Sequence, residues 1–397
     1  MEYPAFKRAL DGERLPAALV DLDALERNVD RLVALLGDKT LRVASKSVRH
    51  TGLMRRILAR GGARLRGLMC FTAAEAAWLH TQGFDDLLVA YPTVQPQALD
   101  ALARAAAQGA TVWAVVDCPA HLAALDRAGR EAGVVLRAVL ELDVSYRPLG
   151  GRVHLGARRS PIRSAAGALA LARAAESFSN VRIAGLMAYE GHLAGLPDDN
   201  PFSRAMNPAR RTLKKLAWPR VTRLRAQVVE ALQGAGVTLE LVNGGGTGSV
   251  ALTAREPCVT EVTAGSGFVC PHLFSYFVGL ALEPAAFFAL EVCRVSDPGF
   301  VTALGGGYVA SGEPGWDRLP LPWSPPGMAY VSIEGAGEVQ TPLQVPPGVQ
   351  LDLGDPVIFR HAKAGELAER FNDYLLLRDG RVVAREPTYR GQGQAFL

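Results

Sequence analysis

Lysines, the side chains that offer an amine nucleophile, are scarce in this sequence. Of its 397 residues 43 are basic, but only six of these are lysines, so the other 37 are arginines. Arginine keeps its charge in essentially any environment, whereas a buried lysine can lose its proton and become a nucleophile. The search for an amine that could form a Schiff base therefore has six candidates: Lys7, Lys39, Lys46, Lys214, Lys215 and Lys363.

Lys46 has the position that amine chemistry requires. It closes the run Arg42–Lys46, which predicts a short strand, and Arg49 follows within one turn. In a (β/α)₈ barrel the C-terminal end of a strand faces the active site, where partial burial and a nearby cation favour the uncharged amine. An uncharged lysine can form a Schiff base with an aldehyde. A solvent-exposed lysine at a strand end is the alternative, and position alone leaves both open.

A glycine-rich run offers a second kind of chemistry. Val242–Ser249 reads VNGGGTGS and follows the last of eight predicted strands. Glycines let the backbone come close to an anion, and successive N–H groups with the hydroxyls of Thr247 and Ser249 can bind a phosphate. Barrels often hold phosphate in the loops after strands seven and eight. The run lacks the spacing of a Rossmann motif or a P-loop, and a flexible turn is the alternative.

These two features together indicate one cofactor. The strand end at Lys46 and the loop after the eighth strand meet at the same mouth of a barrel. Pyridoxal phosphate has an aldehyde for such a lysine and a phosphate for such a loop. The sequence therefore predicts a pyridoxal-phosphate site at the C-terminal face of a barrel.

The elements that would position this site alternate between short apolar strands and longer helices. Continuous apolar strands are typical of a parallel sheet that is covered on both faces. Eight β-then-α units predict a (β/α)₈ TIM barrel rather than an open, doubly wound sheet. The predicted helices include Leu22–Leu36, Thr72–Gly83 and Pro119–Ala132. The predicted strands are Ala17–Leu22, Arg42–Lys46, Gly67–Phe71, Asp86–Ala90, Thr111–Val116, Leu136–Asp143, Val181–Tyr189 and Thr238–Asn243.

After about residue 265 the pattern becomes that of a mostly β domain. Proline and glycine become frequent there, and Pro314–Pro326 is predicted as a surface loop. We predict a barrel over residues 14–268 and a β-rich C-terminal domain over residues 269–397, with residues 1–13 as a candidate to pair with it. The predicted strands of the second domain are Ala289–Val295, Gly299–Leu304, Met328–Glu334, Pro356–His361 and Asp373–Leu377.

Composition argues against several function classes. A net charge of +4 over 397 residues, without an aromatic-interleaved basic stripe, predicts no nucleic-acid binding. The sequence predicts no membrane span and no signal peptide. Five widely spaced cysteines predict free thiols in a cytoplasmic protein. A helix near Pro208–Leu232 is predicted to carry a solvent-exposed basic face formed by Arg210, Arg211, Lys214, Lys215, Arg220, Arg223 and Arg225.

The sequence resembles the pyridoxal-phosphate enzymes with an alanine-racemase-type barrel, specifically the group of D-serine dehydratase and D-threonine aldolase. The order and spacing of several stretches carry the resemblance, which spans most of the chain. These stretches are Pro16–Asn28, Arg42–His50, Phe71–Ala76, Asp86–Pro92, Ile183–His192, Asn243–Ser249, Thr260–Ser266 and Gly354–His361.

The resemblance implies roles for individual residues. Lys46 would be the Schiff-base lysine, and Arg159 matches best the arginine that hydrogen-bonds the cofactor or its lysine, followed by Arg158, with Arg147 and Arg152 as alternatives. Tyr189 and His192 end the seventh predicted strand, where they could stack on a pyridoxal adduct or exchange protons with it. The predicted cofactor-binding set also contains Gly245, Gly246, Thr247, Gly265 and Ser266.

The sequence departs from this group at the metal site. The related lyases place a histidine and, two residues later, a cysteine or aspartate as metal ligands, whereas this chain has His361 and Lys363. A protonated lysine repels a divalent cation and has no free lone pair. A metal site therefore rests on His361, with Asp355, Glu366 and Glu369 as further oxygen ligands. The alternative is that the ammonium of Lys363 replaces the metal's charge beside a substrate hydroxyl or carboxylate.

We predict a lyase that acts on an amino acid, with a D-3-hydroxy amino acid as the expected substrate. Both an aldolase and a dehydratase stay open at this point. A racemase is one alternative; it needs a second base on the opposite face of the cofactor, often a tyrosine that the partner subunit delivers, for which Tyr308, Tyr330 and Tyr389 are candidates. A non-catalytic pyridoxal-phosphate-binding protein is the other alternative. In related barrels the second domain of one subunit completes the site of the other, so we expect a homodimer.

Overall fold

Eight parallel strands close into a barrel, as the sequence predicts, and a mostly β sheet lies beside it. The structure is a computed structural model that describes residues 1–397. One strand, β1 (Ala17–Asp21), precedes the barrel. The barrel strands pair in chain order and close between the last and the first; they are β2 (Thr40–Ala44), β3 (Leu65–Cys70), β4 (Leu87–Val89), β5 (Val112–Val116), β6 (Leu136–Glu141), β7 (Val181–Ala188), β8 (Leu241–Gly244) and β9 (Glu261–Ala264).

The helices are α1 (Tyr3–Ala9), α2 (Leu22–Ala34), α3 (Thr51–Gly61), α4 (Ala73–Thr81), α5 (Pro96–Ala107), α6 (Pro119–Ala132), α7 (Ala165–Ala175), α8 (Gly191–Ala194), α9 (Asn207–Gly234), α10 (Val250–Thr253) and α11 (Ser266–Val269). The local sequence explains several helix ends. The hydroxyl of Thr72 accepts the backbone N–H of Glu75 at 3.0 Å and so begins α4. Gly133 ends α6 in the left-handed conformation, with φ of 69°. None of these helices combines the length and the apolar character needed to span a membrane.

The second sheet contains β1 and the strands β10 (Ala286–Asp297), β11 (Phe300–Leu304), β12 (Leu321–Ser324), β13 (Ala329–Tyr330), β14 (Gln340–Gln344), β15 (Pro356–Arg360), β16 (Asp373–Arg378) and β17 (Arg381–Pro387). Its strand order is β13-β14-β11-β10-β1-β16-β17, and β15 pairs with β10 and β12. β1 lies antiparallel to β10 and parallel to β16. The strand β1 is therefore a central part of this sheet, although it precedes the barrel in the chain.

The prediction of Ala17–Leu22 as the first barrel strand is wrong, although the count of eight is right. Residues 17–20 are all buried, but inside the second sheet. A continuous apolar run indicates burial on both faces without indicating which sheet provides it. The barrel is closed instead by β9, which is not a continuous apolar run because it contains Glu261 and Thr263. These two polar side chains are buried and receive hydrogen bonds from Asn243.

The segment Pro314–Pro326 is more regular than predicted. It contains β12, which pairs only with β15 and therefore forms an edge of the sheet. An edge strand can contain a proline such as Pro322, because one side of its backbone needs no partner. Two further strands, β14 and β17, are not among the predicted strands. The division of the chain at residues 268 and 269 stays a prediction.

The barrel interior is filled below its C-terminal mouth. Leu88, Trp113, Val139 and Met187 belong to a buried apolar cluster. Near the N-terminal ends of the strands, the fully buried Arg42 pairs with Glu261 and Asp86. Because side chains fill the barrel from below, free space for a ligand lies at the C-terminal face.

Candidate active site

A cavity of about 760 Å³ lies at the C-terminal face of the barrel. Its wall contains Lys46 from the turn after β2, Tyr91 from the loop after β4, and Tyr189 directly after β7. Arg159 and the C-terminal segment around Lys363 complete much of the wall. Small-molecule sites typically have volumes of about 300–1,000 Å³, so this cavity has the size of a ligand site.

Lys46 lies in a short 3₁₀ turn, Ser45–Ser47, which follows β2 directly. Its Nζ donates a hydrogen bond to the hydroxyl oxygen of Tyr91 at 2.7 Å. Burial raises the pKa of Tyr91, but the positive charges of Lys46 and Arg159 outweigh this effect and lower it. Tyr91 can therefore exchange a proton with Lys46. Tyr91 is not among the predicted site residues, although it is the first polar residue after β4.

Arg159, the predicted cofactor-binding arginine, lies between two aromatic rings of the cavity. Its guanidinium carbon is 5.2 Å from the ring centroid of Tyr91 and 5.0 Å from that of Tyr189. It also approaches the buried Glu141 at 3.9 Å. None of the three alternative arginines lines the cavity; these are Arg147, Arg152 and Arg158. Arg147 pairs with Asp143 instead.

Tyr189 presents a neutral phenol to the cavity, because burial raises its pKa to about 12. Its ring packs closely against the glycine-rich loop. A Cβ on Gly246 would lie 3.2 Å from the Tyr189 ring and 2.8 Å from the side chain of Ala194. Position 246 therefore needs a glycine for the loop to approach Tyr189 this closely.

The fully buried carboxylate of Glu190 holds the glycine-rich loop in place. It accepts hydrogen bonds from the backbone N–H of Gly245 at 3.1 Å, from the hydroxyl of Ser249 at 2.7 Å and from that of Thr253 at 2.5 Å. It also pairs with the buried Arg225 at 2.8 Å. Burial raises the pKa of Glu190, but Arg225 and these donors outweigh burial and lower it. Glu190 falls within the stretch Ile183–His192, but no local pattern indicates this role, because its partners lie 35 to 63 positions away.

The loop leaves hydrogen-bond donors free at the cavity wall. The hydroxyl oxygen of Thr247 accepts the N–H groups of Gly267 at 3.0 Å and Gly265 at 3.4 Å, which joins the two predicted phosphate segments. The backbone N–H of Thr247 and the hydroxyl of Ser266 have no partner in the chain. The predicted set of Gly245, Gly246, Thr247, Gly265 and Ser266 thus lies together in one cavity wall.

His192 is separated from the other predicted residues. It lies in α8 and does not line the cavity, because β7 ends at Ala188 and the following helix carries His192 away from the mouth. Its side chain is buried, and neither ring nitrogen has a hydrogen-bond partner. Burial lowers the pKa of this imidazole. The geometry therefore gives no support to the predicted proton-transfer role of His192.

His361 lines an adjoining cavity of about 420 Å³ rather than the cavity of Lys46. Its ring is buried, and its Nδ1 has no hydrogen-bond partner. Burial, followed by the nearby Arg360 and His272, lowers the pKa of His361 to about 3. The ring is therefore neutral, but a single imidazole does not make a metal site.

The residues around His361 do not fit a divalent metal. Lys363 lines both cavities and brings a cation where a ligand would be needed. Among the other candidate ligands, Glu369 pairs with Arg49, and Asp355 pairs with Lys7 at 2.5 Å. One group of three metal-ligating side chains does come together in this chain. It consists of Asp117, Cys118 and His121 at the start of α6, away from His361.

The predicted solvent-exposed face of α9 is only partly correct. Arg211, Lys215, Arg220 and Arg223 are exposed. Arg225, in contrast, is fully buried between Glu190 and Glu256. Arg210 lines the cavity and donates to Asn207 at 2.7 Å, and Lys214 is half-buried against Asp198 at 2.9 Å. The acidic partners of Arg225 and Lys214 lie elsewhere in the chain, and the acceptor for Arg210 is an amide one helical turn away. A charge pattern alone therefore does not predict this burial.

Residues 20–268 match the model of the family described as alanine racemase, N-terminal domain. The chain is 27% identical over 251 residues to a 3-hydroxy-D-aspartate aldolase of Paracoccus denitrificans (strain Pd 1222), an alignment that covers 63% of this chain and only 59% of that relative. It is also 27% identical over 384 residues to a D-threonine aldolase of Arthrobacter sp., covering 94% of this chain and 89% of that relative.

A solved structure has the same fold over nearly the whole chain. The crystal structure of the D-threonine aldolase from Filomicrobium marinum superposes with a TM-score of 0.79 at 24% identity, covering 95% of each chain. This likeness supports the arrangement of a barrel beside a mostly β sheet.

Proposed function

The chain belongs to the alanine racemase N-terminal domain family, and from that premise we propose that it is a pyridoxal-phosphate-dependent lyase of D-3-hydroxy amino acids. The observation that carries the proposal is that Lys46, Arg159, Tyr189 and the glycine-rich loop share one cavity. The two relatives described above, a D-threonine aldolase and a 3-hydroxy-D-aspartate aldolase, support the substrate class.

The residues of the cavity fit the cofactor. Lys46 would hold its aldehyde, and the free N–H of Thr247 with the hydroxyl of Ser266 would hold its phosphate. Gly246 supports this assignment. A side chain at that position would collide with Ala194, so the loop could not keep its position in the cavity wall. When bound, pyridoxal phosphate supplies a ring that accepts electrons from a bond at the substrate's α-carbon.

The chain's own residues would supply binding, orientation and proton transfer. The Nζ of Lys46 can move a proton at the α-carbon, and Tyr91, 2.7 Å away, can receive a proton from it or return one. Arg159 is fixed between the rings of Tyr91 and Tyr189, so it can hold an anionic oxygen in a constant position. The phenol of Tyr189 stays protonated near neutral pH and therefore serves as a hydrogen-bond donor.

The β-hydroxyl of the substrate is the group that the two lyase reactions use differently. In an aldolase this hydroxyl loses its proton while the Cα–Cβ bond breaks. In a dehydratase the same oxygen leaves as water. Both reactions need a group of the protein near this oxygen. The residues at the entrance of the cavity would therefore decide between Cα–Cβ cleavage and loss of water.

A racemase finds less support in this chain. The hydroxyl of Tyr330 donates to the backbone oxygen of Pro320, and the hydroxyl of Tyr389 donates to Glu75. Two of the three candidates are thus hydrogen-bonded within their own chain, and Tyr308 lines the adjoining cavity together with Lys363. The homodimer and the cytoplasmic location stay predictions.

The absorbance spectrum of the purified protein tests this proposal, with Lys46→Ala as the variant and Lys215→Ala as the exposed control. We expect a Schiff-base band in the wild type and the control that is lost in Lys46→Ala. Incubation with D-threonine should then release glycine and acetaldehyde from an aldolase, or 2-oxobutanoate and ammonia from a dehydratase. A band that persists in Lys46→Ala contradicts the role of Lys46, and α-proton exchange of D-threonine without either product set would indicate a racemase.

A further inference from the structure

The segment that carries Lys363 packs directly on the turn that carries Lys46. An ideal Cβ on Gly365 would lie 1.8 Å from the backbone oxygen of Lys46, so the contact is between backbones. Arg49 strengthens this contact, because its Nε donates to the same oxygen at 3.1 Å and its guanidinium pairs with Glu369. These contacts fix the segment beside Lys46 and explain why Lys363 lines the same cavity.

Two neighbours orient the ammonium of Lys363. Its Nζ donates to the hydroxyl oxygen of Ser311 at 2.7 Å and lies 3.6 Å from a carboxylate oxygen of Glu366. Ser311 in turn donates both its backbone N–H, at 2.9 Å, and its hydroxyl to Glu366. The hydroxyl proton of Ser311 is therefore committed to Glu366, and its lone pairs stay available to Lys363.

This arrangement leaves Lys363 with donor capacity toward the cavity. An ammonium has three N–H donors, of which one serves Ser311 and a second can point to Glu366. The side chain is 43% exposed, so the third donor can reach a ligand without first leaving a buried position. Ser311 and Glu366 line the cavity as well, so the whole group lies in the cavity wall.

We propose that Lys363 binds the β-oxygen of the substrate and supplies there the positive charge that a divalent metal would otherwise supply. The proposal rests on the function proposed above. The surroundings of His361 do not fit a metal, whereas an oriented ammonium with a free donor is present in the same segment. A hydrogen bond from a charged donor stabilises negative charge that develops on an oxygen during reaction. The chain would accordingly act on 3-hydroxy amino acids without a divalent ion.

The test compares a substrate that has a β-oxygen with one that lacks it. D-threonine carries this oxygen, and D-alanine does not. The variants are Lys363→Ala, the charge-conserving Lys363→Arg, and Lys215→Ala as a control on the exposed face of α9. The measurements are product release from D-threonine, α-proton exchange of D-alanine in deuterated water, and the Kd of each amino acid from the change in cofactor absorbance. Calorimetric titration with Mn²⁺ measures metal binding independently of activity.

We expect Lys363→Ala to lower kcat/KM for D-threonine by about 100- to 1,000-fold, as the loss of one donor to a developing oxyanion does elsewhere. The exchange of D-alanine should stay close to the wild-type rate, and Lys363→Arg should recover part of the loss. The wild type should keep its activity in a chelator and give no Mn²⁺ binding that His361→Ala removes, since the separate group of Asp117, Cys118 and His121 stays intact in that variant.

Three results would overturn the proposal. Equal losses with D-threonine and D-alanine would assign Lys363 to the α-carboxylate or to a purely structural role. Inactivation by a chelator that Mn²⁺ reverses would show that a metal supplies the charge. Unchanged turnover of D-threonine in Lys363→Ala would remove Lys363 from the site. A wild type that has a cofactor band but turns over neither amino acid would instead contradict the proposed function, and with it this role of Lys363.

Discussion

The hydroxyl of Tyr389, near the C-terminus, donates a hydrogen bond at 2.9 Å to the carboxylate of Glu75, which lies in the first turn of α4 in the barrel. Both side chains are fully buried. The second carboxylate oxygen of Glu75 accepts the backbone N–H of Phe71 at 2.7 Å. One carboxylate thus joins the C-terminal segment to the loop after β3, at the face of the barrel that contains the cavity.

Glu75 makes the stability of the fold depend on pH. Burial raises its pKa from 4.5 to about 7, although its hydrogen bonds oppose the shift. Between these two values the folded chain binds more protons than the unfolded chain, so the free energy of unfolding falls as pH rises through this window. Glu75→Gln mimics the protonated carboxyl. In this variant the free energy of unfolding should therefore decrease less with rising pH than in the wild type. Urea denaturation midpoints between pH 4.5 and 8 measure the effect.

The exposed Glu176 provides the matched control for this measurement. Glu176→Gln should follow the wild-type dependence on pH, while Glu75→Gln should be flatter. Glu141, whose pKa burial also raises to about 7, leaves a residual slope in both variants. A Glu75→Gln variant with the full wild-type slope would contradict the assignment of the pH dependence to Glu75.

Tyr91→Phe should impair proton transfer without removing the cofactor. The substitution deletes the hydroxyl that accepts the hydrogen bond from Lys46 but keeps the ring beside Arg159. A positioned proton-transfer group typically contributes about 10²- to 10⁴-fold to a rate, so we expect kcat to fall by at least 100-fold. The alkaline limb of the pH–rate profile should move to higher pH, because Tyr91, whose pKa is lowered, no longer contributes to it.

Tyr146→Phe is the control for that prediction, because Tyr146 packs on Arg220 outside the cavity. It should keep the wild-type rate and profile. If Tyr91→Phe behaves in the same way, Tyr91 has no part in proton transfer.

The sequence predicts the barrel well because its strands are apolar runs separated by helical patterns, and both are local signals. Which strands pair with one another is not a local property of the sequence. The run at β1 indicates a buried strand, yet whether it pairs with β2 or with β10 depends on residues more than 260 positions away. β9 is likewise not evident as an apolar run, because its buried polar residues have their hydrogen-bond partner, Asn243, on another strand.

The same distinction applies to the site. The ends of parallel strands converge, so Lys46, Tyr189 and the glycine-rich loop could be placed in one mouth from their positions alone. That rule would also have selected Tyr91, the second residue after β4. In contrast, Ser311 is 52 positions from Lys363, and no sequence spacing indicates that the two meet. The same rule places His192 in this mouth, but the chain turns into α8 after β7, and local periodicity does not indicate that turn.

Glu190→Gln should weaken both the fold and the binding of the cofactor. The substitution removes the negative charge that pairs with the buried Arg225, and it changes the acceptor for two donors of the loop and one of α10. Breaking a buried ion pair typically costs about 3–5 kcal/mol, because the partner charge stays buried. We expect a lower urea midpoint and a larger Kd for pyridoxal phosphate. Glu230→Gln, on the exposed face of the same helix as Arg225, should change neither, and equal behaviour of the two variants would contradict a positioning role for Glu190.

Gly365→Ala tests whether the contact between two backbones holds the active site together. Gly365 and Gly348 have almost the same left-handed φ, 85° and 83°, so alanine causes similar backbone strain at both. Only at Gly365 would the new Cβ meet an obstacle, the backbone oxygen of Lys46, whereas the space around Gly348 is open. Gly348→Ala should therefore show the effect of strain alone: the free energy of unfolding falls by about 1 kcal/mol, and activity stays normal. Gly365→Ala should in addition displace the segment that carries Lys363 and lower turnover of D-threonine by more than tenfold. Comparison of kcat/KM and urea midpoints for the two variants separates these effects, and equal kinetics would mean that the contact does not position Lys363.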